Sequence, residues 1–475
     1  MKKQADIGMI GLAVMGQNLV LNMADHGYTV AVYNRTVEIT DEFLDHEASG
    51  KPILGARSVQ ELVSQVQKPR KIMLMVKAGA PVDAVIEQLL PFLDNGDIII
   101  DGGNSFFKDT IRRQKYLEGK GLRFIGTGVS GGEEGARHGP SIMPGGSASA
   151  WPEIKKIFQD ISAKVGPNND VPCCDWIGQD GAGHFVKMVH NGIEYGDMEL
   201  ISEAYFVLKT ILNKSPDEMG ALFERWNEGV LDSYLVEITA AILQKRDDMS
   251  GNYLIDMILD KAGQKGTGVW TSITALELGV PIPTLMEATV ARAVSAAKKE
   301  RLEIVKSLGA PNGKKEVHDP NALIRSLHDA LYAAKILSYT QGFQLMRAAS
   351  DEYAWNLDYG RIAYLWRGGC IIRARFLEQI KQAFDDHRDL KNLMLAPYFS
   401  QTLLAAEKQL RDIVCTATQS GVPVPAFSSA LAYFDAFRTE VLPAHMIQAQ
   451  RDYFGAHTYE RIDRAGTFHT EWTKP

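Results

Sequence analysis

The hydrophobic period of this chain changes once, at about residue 178, and that change limits what the chain can fold into. Over the first 175 or so residues, short apolar runs (ADIGMI, YTVAVY, KIMLMV and DIIID) alternate with stretches of helical periodicity. Such alternation indicates a parallel sheet with helices on both faces. Beyond it, long helical patterns follow one another with little strand signal, among them NGIEYGDMELISEAYFVLKTIL and LHDALYAAKILSYTQGFQLMRAAS. The predicted architecture is an α/β domain over 1–178, a large all-α domain over 179–436 and a C-terminal tail over 437–475. Aligning the two long helical patterns with Tyr195 against Tyr339 suggests a duplicated helical unit. Leu331, Lys335 and Ser338 then stand opposite Lys187, Asn191 and Glu194, so only the first copy keeps a polar face. The tail, including RDYFGAHTYERIDRAGTFHTEW, is rich in aromatic and basic residues without a long period, and must find a surface to pack on.

Composition narrows the function classes. The 475 residues suffice for two or more domains and a large core. A net charge of -7 gives no general attraction for nucleic acid, so any anion site must be built locally. Four cysteines, with Cys173 and Cys174 adjacent, do not make a disulfide framework and fit a reducing cytoplasm. The start, MKKQADIGMIGLAVMG, could be mistaken for a short signal peptide. It reads better as a strand entering a glycine turn, and no stretch is long enough to span a bilayer. The expectation is a soluble cytoplasmic protein with neither nucleic acid nor membrane as partner.

The first strand runs into Gly11, Leu12, Ala13, Val14, Met15 and Gly16, and then into the helical stretch QNLVLNMADHG. This is G-x-A-x-x-G, with alanine at the second glycine of the dinucleotide fingerprint. Gly11 permits the tight turn, Gly16 permits close helix packing, and the helix N-terminus offers free N–H groups to a pyrophosphate. A glycine-rich strand end without a ligand is the competing reading. The motif's place between a strand and a helix, in a unit of about 30 residues, favours a Rossmann-like nucleotide site. At the end of the second strand, where an NAD enzyme usually carries an acid, stand Asn34, Arg35 and Thr36. Their donors and positive charge suit a 2′-phosphate and favour NADP, although an arginine exposed in a turn would look the same.

A second constellation lies in GQDGAGHFVKMVHNGIEY. Lys187, His190, Asn191, Glu194 and Tyr195 fall at spacings of three, four, seven and eight and share one helical face, while Val186, Val189 and Ile193 fall on another. A solvated face is the ordinary explanation of such a stripe. Here the five groups are chemically distinct, and Gly178, Gly181 and Gly183 precede them. The histidines are scattered without ligand spacing, so no metal site is expected.

The glycine–lysine–asparagine spacing around Lys187 resembles the catalytic signature of the β-hydroxyacid dehydrogenases, and GTGVSGGEEGA at 126–136 resembles their substrate loop. GLAVMGQNL, YNRT, DGGNS, GVSGGEEGARHGPSIMPGG, KMVHNGIEYGDM, KGTGVW and FGAHTYER together resemble the 6-phosphogluconate dehydrogenase family over essentially the full length. The resemblance implies an NADP-dependent oxidoreductase of the pentose phosphate pathway and gluconate utilisation, decarboxylating 6-phosphogluconate to ribulose 5-phosphate as a homodimer. It implies Lys187 as the base and Glu194 as the acid. It places the cofactor against Val76, Lys77, Ala78 and Asn104 besides the glycine loop and Asn34–Thr36. The substrate falls to Asn104, Ser130, Gly131, Gly132, His190, Asn191, Tyr195, Lys265, Thr267 and Arg292, joined by Arg451 and His457 from the neighbouring subunit's tail. Taken alone, Arg292 on an alanine-rich helix would read as a surface residue, and KGTG lacks the spacing of a P-loop. The rivals are another β-hydroxyacid dehydrogenase that keeps its carbon dioxide, and a non-catalytic NADP-binding protein on the same fold.

Overall fold

The computed structural model describes residues 4–313 and 315–473. Seven strands carry the first domain: β1 (Ile7–Ile10), β2 (Val30–Tyr33), β3 (Ile53–Gly55), β4 (Lys71–Leu74), β5 (Ile98–Asp101), β6 (Arg123–Ser130) and β7 (Ser141–Gly146). With the two-residue strand Gly178–Gln179 they form one sheet, in the order β3, β2, β1, β4, β5, β6, β7 and then Gly178–Gln179. The helices between them are α1 (Val14–Asp25), α2 (Val37–Asp45), α3 (Val59–Gln65), α4 (Ala80–Leu89), α5 (Phe107–Glu118), α6 (Gly132–His138) and α7 (Trp151–Ile161). The period-two alternation of the strands feeds two cores. Met73, Ile98 and Ile100 point into one with Leu19 and Phe158, whereas Ile72, Leu74 and Ile99 point into the other with Leu62 and Ile86.

The expected parallel sheet needs one correction. β7 runs antiparallel to β6, from Ile125 opposite Gly146 to Ser130 opposite Ser141. The short α6 turn joins them as a hairpin would, and a parallel pair would need a longer crossover.

The helical part begins with α8 (Ala182–Thr210), 29 residues long. It is surrounded rather than surface-lying, because the Thr267–Glu277, Pro283–Ala296 and Pro320–Glu352 helices pack along it on one side and β6 and β7 on the other. The two helices singled out as a possible duplication cross each other closely. A Cβ on Gly196 would lie 2.5 Å from Ser338 Oγ, and one on Gly342 would lie 2.5 Å from Ile193 Cδ1. The second helix also keeps a polar residue of its own, the buried Lys335.

The tail is more organised than its lack of period suggests. Its Ala444–Gly455 helix and the Tyr459–Glu460 and Thr467–Phe468 strands close around the buried Asp452 carboxylate. That carboxylate accepts from the backbone of Thr458 and Thr470 and from Trp472 Nε1, at 2.9 to 3.0 Å. Tyr459 is spent inside the tail on Thr470, whereas Tyr453 and Phe454 are exposed. Among the described residues no helix is long and apolar enough to cross a membrane.

What seats α8 on the sheet is a seam of glycines. A Cβ on Gly128 of β6 would lie 2.2 Å from Lys187 Cβ, and one on Gly183 would lie 2.5 Å from the Gly126 carbonyl oxygen. Gly128→Ala should therefore lower the unfolding free energy by about 1–3 kcal/mol, the usual cost of overpacking. Gly229→Ala, whose methyl would meet only the Trp226 carbonyl at 3.7 Å, should cost much less. Urea midpoints measure both, and equal losses would mean that α8 can retreat from the sheet.

Candidate active site

A cleft of about 1160 Å³ opens between the carboxyl ends of the parallel strands and the helical part. The strand order turns back between β1 and β4, the place where open α/β sheets bind ligands. Gly11 sits at φ +102°, and a Cβ there would lie 2.4 Å from the Met75 carbonyl oxygen. Gly16 lies under it: its Cβ would come within 2.0 Å of the Gly11 carbonyl oxygen. The first turn of α1 carries no side-chain cap and no acid, which leaves its N–H groups for an anion. Asn34 ties the loop to β2: its Oδ1 accepts from Leu12 N–H at 3.1 Å and its Nδ2 donates to the Thr36 carbonyl at 3.0 Å. Its side chain is therefore occupied in holding the loop. Arg35 is exposed beside it and has no ion-pair partner among the described residues. This cradle fits a dinucleotide bearing an additional phosphate.

Met15, Val76, Lys77, Ala78 and Asn104 continue from that loop into the cleft. Ala13 and Val14 are exposed at the loop's outer edge, while Gly11, Leu12 and Gly16 are buried beneath it. The far wall comes from Ser130, Gly131 and Gly132 at the β6–α6 turn, from Lys187, Asn191, Glu194 and Tyr195 of α8, and from Lys265, Thr267 and Arg292. One predicted member of the face stands apart. His190 is fully buried and does not line the cleft. Its Nε2 lies 3.2 Å from Ser130 Oγ and its Nδ1 lies 3.3 Å from Lys187 Nζ. Burial and the neighbouring lysine push its proton affinity well below the usual range, so the ring is neutral. Nδ1 also lies 3.2 Å from Asn191 Oδ1: the tautomer with its proton on Nε2 donates to Ser130 and accepts from Lys187, and the one with its proton on Nδ1 donates to Asn191 and accepts from Ser130.

Burial likewise holds the Lys187 ammonium below its ordinary value, with the Glu194 charge opposing. Glu194 is shifted the other way: burial raises its carboxyl, against the pull of Lys187 and Arg292. An amine and a carboxyl shifted in opposite directions on one helix face is an arrangement suited to proton transfer. Arg292 faces inward, with its guanidinium 3.4 Å over the Tyr195 ring and Nη1 donating to the Gly263 carbonyl at 3.1 Å. Tyr195 can lie there because Gly268 has no Cβ; one would sit 2.6 Å from its ring.

Arg451 and His457 do not line this cleft. Arg451 Nη1 donates to Gln448 Oε1 at 3.0 Å, and the His457 ring stands edge-on to Phe454. The sequence reading missed Phe106 and Trp270, whose rings meet 5.4 Å apart across the cleft. Phe106 directly follows DGGNS and Trp270 closes KGTGVW, and that proximity was the available signal. Among the described residues no three His, Cys, Asp or Glu side chains gather as a metal site would.

A glycine loop at a Rossmann crevice, opening onto a buried lysine and carboxyl pair, defines a nicotinamide-dinucleotide-linked dehydrogenase. Residues 6–178 match the NAD binding domain of 6-phosphogluconate dehydrogenase, and residues 183–472 match the 6-phosphogluconate dehydrogenase C-terminal domain. The chain is 56% identical over 471 residues to the human 6-phosphogluconate dehydrogenase, decarboxylating, covering 99% of this chain and 97% of that one. It is also 56% identical to the NADP(+)-dependent decarboxylating enzyme of Bacillus subtilis, over the whole of both chains. A solved 6-phosphogluconate dehydrogenase of Plasmodium falciparum, studied with its cofactor NADP+ and its substrate, superposes with a TM-score of 0.95 at 48% identity. That match covers 98% of this chain and 100% of the other. The chain belongs to the 6-phosphogluconate dehydrogenase family.

The lysine makes a prediction about stability. An unfolded lysine keeps its proton up to about pH 10.4, whereas folded Lys187 releases it earlier. Between those values the unfolded chain binds more protons, so this residue's contribution to stability grows as pH rises through that window. Lys187→Met should be at least as stable as the wild type at pH 7, and its urea midpoint should gain less between pH 7 and pH 10. A parallel pair of curves would show that Lys187 is not titrating in the folded protein.

Proposed function

We propose that this chain carries out the NADP-dependent oxidative decarboxylation of 6-phosphogluconate, yielding carbon dioxide, ribulose 5-phosphate and NADPH. The observation that supports it most is the placing of Lys187 and Glu194 two turns apart on α8, both opening into the cleft that receives Met15, Lys77 and Asn104. Two turns are about 10 Å of helix rise, within which two leaning side chains can address both ends of a short carbon chain.

NADP, when bound, accepts the hydride from carbon 3. Lys187, already disfavoured as an ammonium by its burial, takes the proton of the carbon 3 hydroxyl. The ammonium so formed lies beside the 3-keto oxygen and stabilises the enolate that develops as the carboxylate departs as carbon dioxide. His190, held by Ser130, keeps the lysine aimed. Glu194 then gives its proton to the carbon that lost the carboxylate, which becomes carbon 1 of the product. Asn104, Ser130, Gly131, Gly132, Asn191 and Tyr195 hold the carboxylate and hydroxyls. Lys265, Thr267 and Arg292 supply donors and positive charge that an acidic protein must concentrate locally. Gly11–Gly16 and the start of α1 would hold the pyrophosphate, and Arg35 and Thr36 the 2′-phosphate. The setting is a cytoplasmic homodimer serving the pentose phosphate pathway and gluconate utilisation, in which Arg451 and His457 of one subunit complete the phosphate site of the other.

NADPH absorbance with 6-phosphogluconate tests the reaction. Lys187→Ala should lower the rate by about 100-fold or more while NADP affinity is kept. Arg35→Glu should weaken NADP by about tenfold more than NAD, since it removes a phosphate partner and adds repulsion. A near wild-type rate in the first variant, or equal loss of both cofactors in the second, would overturn the assignment concerned.

Mixing subunits tests the crossing tail. Lys187→Ala and Arg451→Ala homodimers should each be inactive. In a heterodimer, one site takes both defects and the other keeps Lys187 and an intact donated tail, so activity should reappear. Verified heterodimers without activity would count against a tail that crosses.

A further inference from the structure

Two loops at the carboxyl ends of neighbouring strands line the cleft side by side: Val76, Lys77, Ala78 and Gly79 after β4, and Asn104 after β5. A side chain outside the cleft joins them. Arg113 of α5 is 1% exposed, does not line the cleft, and is left unused by the proposed chemistry.

Its five N–H groups divide between the two loops. Nε and Nη2 donate to the two oxygens of Asp83 at 2.9 and 3.0 Å, and Nη2 also donates to the Gly79 carbonyl at 2.9 Å. Nη1 reaches the other way, to Asp101 Oδ2 at 3.4 Å and Ser105 Oγ at 3.5 Å. The buried Asp101 carboxylate in turn accepts from Gly103 N–H at 3.1 Å and from the Ser105 hydroxyl at 2.6 Å. The turn that presents Asn104 is therefore tied on both sides of that residue. It also lies directly on the first loop, since a Cβ on Gly103 would stand 3.0 Å from the Val76 carbonyl oxygen. The helix bearing Arg113 is itself fixed to α8, where His184 Nδ1 lies 2.6 Å from Thr110 Oγ1, three residues before Lys187.

Stability alone does not call for a guanidinium here, because well-packed apolar residues usually serve a core as well as a buried ion pair does. An apolar side chain could not fix the distance between two backbone loops, which a rigid planar fork does. We propose that Arg113 is a positioning residue for the reaction: it sets Asn104 against the Val76–Gly79 loop, so that substrate and cofactor meet in register above Lys187. The inference rests on the reading of Asn104 as a residue that meets both.

A double-mutant cycle on the intact enzyme tests it, read as kcat/KM for 6-phosphogluconate at saturating NADP. Asn104→Ala should lose about 100-fold, the scale of a lost positioning contact. Arg113→Lys keeps the buried cation but not the fork, and should lose about tenfold. If Arg113 acts through Asn104, the double variant should be no worse than Asn104→Ala, whereas independent roles would multiply to about 1000-fold. The uncharged pair Arg113→Met/Asp101→Asn removes the bridge without leaving a buried charge unpaired, and Asn104→Ala should mask its loss in the same way. It carries the test should Arg113→Lys fold poorly. Losses that multiply, or a wild-type rate in both Arg113 variants, would overturn the proposal and leave Asn104 assigned. A wild-type rate in Asn104→Ala would overturn the reading of Asn104 and the proposal with it.

Discussion

The close seating of α8 on β6 and β7 is the contact on which the remaining chemistry depends. Glycines on both surfaces remove the side chains that would hold a helix at its usual distance from a sheet. Gly126 and Gly128 do so on β6, Gly145 on β7 and Gly183 on the helix. Lys187 thereby stands with its Cβ against the strand, and the amine emerges at the floor of the cleft. Burial of the amine follows from this seating, and its weakened hold on a proton follows from the burial. The same approach brings Ser130 at the end of β6 within reach of His190, whose Nδ1 lies 3.3 Å from Lys187 Nζ and 3.2 Å from Asn191 Oδ1. One steric device thus supplies position, desolvation and orientation together.

Charge is handled with similar economy. The chain is acidic overall, yet its cleft must attract anionic ligands, so cations are brought in from separate elements: Lys77 after β4, Lys187 on α8, Lys265 before the Thr267–Glu277 helix and Arg292 on the next. Arg292 is kept ready by the Tyr195 ring and the Gly263 carbonyl, neither of which neutralises it. Carboxylates that would compete are paired elsewhere. Asp101 is occupied by Ser105 and Arg113, and Asp197 by Lys335.

Much of this was legible before any coordinates. The short apolar runs DIIID and KIMLMV mark the sheet because both faces of such a strand are buried, each in its own core. The face carrying Lys187, Asn191, Glu194 and Tyr195 was readable because a helix converts spacing into direction, and all four line the cleft. His190 shares that direction but not that exposure, since spacing gives an angle about the helix axis and not what packs against it. β7 eluded this signal because SIMPGG sets only Ile142 and Met143 beside a proline and two glycines, too few large apolar residues to read as a run. The tail looked unstructured for a related reason: its order comes from one buried carboxylate collecting donors, not from a repeating apolar stripe.

By itself the sequence determined the local conformations, the glycine turn after β1, the class of chemistry available to α8 and, through its motifs, the family. Those properties depend on neighbours in the chain, within a turn or a strand of each other. Only the tertiary structure decided that Arg292 turns inward, that Lys335 pairs with Asp197 138 residues away, and that Phe106 meets Trp270 across the cleft. Each of these joins segments far apart in sequence. Which of them meet is set by how whole faces pack and which buried charges must find partners, and no local period carries that information.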